Sequence, residues 1–142
     1  MMRSLSIAAL ALASCHAVPP PRPLVTAPAG SPACPIVGSS DWQAWVNAMP
    51  GPNAQPTLIV TGKVEVPTGG YRFEWRDLIV MESYPVQIVA GLSPILPTGY
   101  VTEAHVTHEV RGEWPMRPPV GAVTIRCGSR TLGTISPVPT AS

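Results

Sequence analysis

Thr57-Leu58-Ile59-Val60-Thr61-Gly62-Lys63-Val64-Glu65-Val66, a Pro67-Thr68-Gly69-Gly70 turn, and then Tyr71-Arg72-Phe73-Glu74-Trp75-Arg76 form the stretch that decides the fold. Leu58, Val60, Val64 and Val66 alternate with Thr61, Lys63 and Glu65, which is the period of two expected of a strand with one buried and one solvated face. Tyr71, Phe73 and Trp75 alternate with Arg72, Glu74 and Arg76 in the same way. Pro67 presets φ for a turn, and Gly69 and Gly70 accept positive φ, so the two patterned runs are joined by turn chemistry.

Working outward, further strands are expected at residues 78–81, at 85–92 with Val86, Ile88, Ala90 and Leu92 inward, and at 100–110 with Ala104, Val106 and Val110 inward. Residues 121–127 and 130–136 complete the set. Gly128-Ser129 between them suits a two-residue type II′ hairpin, because glycine takes the positive φ. Residues 40–49 read differently. Ser40 with Gln43 makes a capping box, Asp41 sits in a first turn, Pro50-Gly51 forms a stop, and Trp42, Trp45, Val46 and Met49 share one helical face. The expected fold is therefore mainly β: an immunoglobulin-like antiparallel β-sandwich of about seven strands with one short N-terminal helix.

The N-terminus carries an address. Arg3 precedes an apolar run that ends in Leu12-Ala13-Ser14-Cys15. About nine apolar or small residues span about 14 Å as a helix, less than half of a bilayer core, so the run reads as a secretory signal rather than a membrane span. Leu12-Ala13-Ser14-Cys15 resembles the bacterial lipobox. That resemblance implies a signal peptide over residues 1–14, lipidation of Cys15, and anchoring to a membrane of the cell envelope without crossing it. His16 stands where that family places the Asp of inner-membrane retention, which implies the outer membrane in a Gram-negative cell. An ordinary signal peptide, with Cys15 incidental, is the alternative. Residues 15–33 hold Pro19, Pro20, Pro21, Pro23, Pro28 and Pro32 and read as an extended tether. Residues 34–136 form the sandwich domain, and residues 137–142 read as a flexible tail.

With Cys15 assigned to lipid, Cys34 and Cys127 remain, and in an exported chain the simplest assignment is a disulfide between them. No C-x-x-C or C-x-x-H spacing marks a redox or metal site.

Composition narrows the function. The chain has nine Lys and Arg against eight Asp and Glu; loss of residues 1–14 removes Arg3 and leaves the mature chain neutral. Lys63 is the sole lysine and no basic run occurs, so nucleic acid is not expected as a partner. Only 12% of residues are charged, about half the usual share, while 19 are proline. His105 and His108, three apart on an expected strand, point to opposite faces and do not share a metal. There is no G-x-S-x-G, no phosphate-cradling glycine loop before a helix, and few aspartates. No enzymatic activity, no cofactor and no metal are expected.

The run Pro67-Thr68-Gly69-Gly70-Tyr71 before an alternating aromatic strand resembles the P-T-G-G-Y signature of the C-terminal domain of PrcB-type protease-complex subunits. That resemblance implies an envelope protein that binds a partner protease. The same run is similar to the first binding loop of chagasin-type cysteine-protease inhibitors, N-P-T-T-G-Y-x-W, with Val66 in place of Asn, Gly69 in place of Thr and Phe73 in place of Trp. Those inhibitors carry a second loop with Arg-Pro-aromatic; Arg117-Pro118 offers the first two, with Trp114 nearby. In a sandwich, loops cluster at the two ends, so Pro67, Thr68, Gly69, Gly70 and Tyr71 are expected to lie at one end with Trp114, Arg117 and Pro118 as a protein-binding surface. The leading reading is a non-enzymatic envelope lipoprotein that binds another protein, such as a protease. The alternatives are a structural envelope lipoprotein without a recognition site and a chagasin-like inhibitor.

Overall fold

In the computed structural model, residues 33–142 are described; Cys15, the signal peptide and most of the tether lie outside them. Among the described residues nine strands follow one another: β1 (Gly38–Asn47), β2 (Thr57–Val66), β3 (Arg72–Trp75), β4 (Ile79–Met81), β5 (Val86–Ile95), β6 (Val106–Pro115), β7 (Val120–Cys127), β8 (Arg130–Ile135) and β9 (Thr140–Ala141). One sheet has the order β6-β2-β1-β9; the other runs β3-β5-β7-β8, with β4 also on β5. Their apolar faces meet. Val46, Leu58 and Val60 of the first sheet share a buried cluster with Ile88, Ala90, Val123 and Ile125 of the second.

The stretch 57–66 forms β2 as its alternation demands: Leu58, Val60, Val64 and Val66 are fully buried. β6 pairs antiparallel with β2 over ten consecutive positions, from Thr57 opposite Pro115 to Val66 opposite Val106. The hairpin of β7 and β8 turns at Gly128, where φ is 60°. Cys34 and Cys127 are disulfide-bonded with Cα atoms 5.5 Å apart, closing a separation of 93 residues. The segment before β1 is held further by Val37 N–H donating to the Glu65 carbonyl and by the Arg130 guanidinium donating to the Ile36 carbonyl.

Three expectations are corrected. The first concerns residues 40–49, which are not helical; residues 38–47 are strand β1. Ser40 pairs with Lys63 and Gln43 with Thr61, so Asp41 and Trp42 together face Gly62 in a β-bulge, with Asp41 at φ 55°. Asp tolerates this left-handed conformation through its short polar side chain, a role that mimics a capping residue in sequence. The presumed helical stripe is split: Val46 is buried and Trp42 packs on the core, Trp45 lies on the outer face beneath Arg111, and Met49 is exposed beyond the strand. Pairing to β2 outweighs the local capping signals.

The second correction concerns sheet type. β5 and β7 run parallel, as do β1 and β9, so both sheets are mixed rather than antiparallel. The third concerns residues 137–142, which are not a free tail. Val138 is buried in the core, Val46 N–H donates to the Pro139 carbonyl, and Thr140–Ala141 adds a strand beside β1.

Candidate functional site

The register of β2 and β6 decides which loops meet. Pro67 follows the last residue of β2 and Met116 follows the last residue of β6, and the two strands are antiparallel over their whole length. At about 3.3 Å per residue, the two loops are about 30 Å apart, at opposite ends of the sandwich. The expected composite surface of residues 67–71 with 114–119 is therefore corrected to two separate ends.

At the far end, Trp114 is an inward-facing residue of β6, its ring 5.3 Å from that of Trp75 and edge-on at 87°. It packs against the core and is not a free anchor. Arg117 and Pro118 are exposed beside a groove of about 620 Å³ that is also lined by Gln55, Pro56, Pro115 and Met116.

At the near end, Pro67–Gly70 docks on residues 97–102. Gly69 N–H donates to the Thr102 carbonyl at 3.1 Å. Gly70 has φ 85°, and a Cβ there would stand 2.8 Å from Pro97 Cβ, so both conformation and contact require glycine. Tyr71 is half-buried and packs with the cluster of Val64, Val66 and Leu92. The expected strand over 100–110 begins only at Val106 because the preceding residues form this second loop. Leu96, Tyr100 and Val101 are exposed on it, Tyr100 completely.

Sequence reasoning missed these three side chains. The signal was nevertheless present: Pro97-Thr98-Gly99-Tyr100 repeats the Pro-Thr-Gly and Tyr of residues 67–71, a turn that lifts an aromatic out of a strand. One copy turns its tyrosine toward the core and the other toward solvent.

On the outer face of the β6-β2-β1 sheet, Lys63 pairs with Asp41 at 3.0 Å and Arg111 with Glu113 at 2.6 Å. The hydrogen bond and charge of Asp41 raise the Lys63 pKa above its ordinary 10.5. His105 Nδ1 contacts Glu65 Oε1 at 2.6 Å beside the near-end loops. His108 is turned inward, edge-on to Phe73 at 5.7 Å; its Nε2 is buried and has no hydrogen-bond partner among the described residues, as is true of Trp42 Nε1. Among the described residues no three His, Cys, Asp or Glu converge as metal ligands, and no helix is long and apolar enough to cross a membrane.

The fold and this two-loop end define a β-sandwich-like domain with an apolar loop platform. No protein-family model, no curated protein and no solved structure matches the chain.

Proposed function

We propose that the chain is an exported, Cys15-lipidated interaction protein of the bacterial envelope, without enzymatic activity. It binds another protein through the near end built from Pro67–Tyr71 and residues 96–102. The observation that carries this reading is the exposure of Leu96, Tyr100 and Val101 together on a loop braced by Gly69 and Gly70. Such side chains lose water on association, and a loop stiffened by Pro97 and its contact with the neighbouring turn loses little entropy. An envelope protease is the partner class that the Pro67–Tyr71 resemblance implies. The inhibitor reading loses its second loop, because Arg117 and Pro118 stand at the opposite end. The immunoglobulin-like relation rests on the antiparallel β2 and β6 pair and on loops that alternate between ends; the parallel β5 and β7 pair departs from it.

The test is a Leu96→Ser, Tyr100→Ser variant of the full chain in its native envelope. Loss of a stoichiometric partner with an unchanged melting temperature supports the reading. Equal partner recovery, or no partner with the wild-type chain, overturns it.

A further inference from the structure

The free edges of the two sheets differ in how well they are protected. β9 has two residues, β8 is kinked by a register shift opposite Ile125 and Arg126, and the β3 and β4 edge is interrupted between Trp75 and Ile79. Short, bulged or broken edges resist pairing with other chains. β6 has none of these devices. It runs ten residues in unbroken register, pairs among the described residues only with β2, and carries no lysine and no proline before Pro115.

Its hydrogen-bonding direction follows from one contact. Met116 N–H donates to the Pro56 carbonyl at 2.9 Å, so position 116 bonds toward β2. By the alternation of an antiparallel ladder, residues 106, 108, 110, 112 and 114 also bond toward β2. The N–H and C=O groups of Thr107, Glu109, Arg111 and Glu113 then face outward from the edge. These four side chains are all exposed on the outer face.

We infer that β6 pairs edge to edge with β6 of a second copy of this chain, antiparallel about a two-fold axis through Val110. In that register Glu109 faces Arg111 of the second copy and Arg111 faces its Glu109, while Thr107 faces Glu113 in both directions. All four outward residues exchange backbone hydrogen bonds, about eight in total, two for each facing pair. Moving the axis to Glu109 or Arg111 places like charges opposite one another, and moving it to Gly112 brings Pro115, which has no N–H, into a bonding position. The charge order Glu109, Arg111, Glu113 is thus self-complementary in the register that satisfies the most backbone groups. The result is a sheet continuous through both copies, with the near and far loop ends left open.

The test uses the full chain purified in detergent, with mass read by light scattering across a concentration series. The wild-type chain is expected at twice its own mass. Arg111→Glu places two Glu pairs face to face and is expected to raise the dissociation constant by about tenfold or more. Adding Glu109→Arg to Arg111→Glu reverses the pairs and restores the dimer. Glu109→Pro removes an outward N–H without touching the bonds to β2, so it gives single chains that keep the wild-type far-ultraviolet circular dichroism. A wild-type chain that stays single, a mass insensitive to Arg111→Glu, or a double variant that fails to recover overturns the inference. Association through lipid alone shows itself as the insensitive mass.

Discussion

Replacing Gly62 with alanine tests how Trp42 is placed, and through it the assignment of residues 38–47 to a strand. In an unhindered strand position this change is favourable by about 0.5–1 kcal/mol, since glycine has more freedom to lose on folding. Here the added Cβ lands 2.1 Å from Trp42 Cε3, 2.4 Å from Cζ3 and 2.6 Å from Cδ2. The indole has no retreat, because it also covers Gly133, where a Cβ would stand 2.7 Å from Trp42 Cδ1. Trp42 contacts both buried clusters, so moving it disturbs packing on each side. Overpacking of this kind costs about 1–3 kcal/mol, and a net loss of about 1 kcal/mol is expected after the glycine effect is subtracted. That corresponds to a drop in melting temperature of about 5 °C for a domain of this size. Calorimetry of wild type, Gly62→Ala, Trp42→Leu and the double variant gives the coupling. In the Trp42→Leu background Gly62→Ala should be neutral or stabilising. A neutral effect in the wild-type background, or an equal loss in both, refutes the packing of Trp42 over Gly62.

Three further outcomes are expected. Cys34→Ser with Cys127→Ser removes the crosslink over 93 residues and should lower stability by up to about 4.5 kcal/mol, checked by urea unfolding with and without reductant. Because the folded pKa of Lys63 is raised, its contribution to stability is present below 10.5 and is lost as pH climbs through the folded value; Asp41→Asn should abolish that alkaline loss, and titration of the single lysine signal by NMR should move back toward 10.5. Trp114→Ala should destabilise by about 3 kcal/mol through loss of contact with Trp75, whereas Arg117→Ala should leave the melting temperature unchanged, as thermal melts of both variants will show.

Much of the architecture was legible wherever alternation was strong. Residues 57–66 bury their apolar members as read, and Gly128-Ser129 turns the hairpin. The cysteine pair was legible too, since Cys34 and Cys127 are the two left once Cys15 is set aside, and they are bonded. Residues 40–49 misled because Ser40, Asp41 and Gln43 are equally suited to a helix cap and to a bulge, and only pairing with Lys63 and Thr61 on β2 separates the two. Pro137 and Pro139 suggested a tail, but proline is compatible with a short edge strand, and Val138 supplies the apolar contact that anchors it. The loop surface was half legible. Residues 67–71 were visible from turn chemistry, yet which loop joins them depends on strand direction. Trp114 and Arg117, attractive as interface residue types, lie at the other end because β6 runs antiparallel to β2.

Site-specific photocrosslinking in the cells that make the protein tests the proposed recognition surface most directly. A photoreactive residue is placed at Tyr100 in one full-length chain and at Arg117 in another. A discrete adduct from position 100 and none from position 117 is the outcome expected if the near end is the binding face. Adducts of equal yield from both positions, or from 117 alone, contradict it.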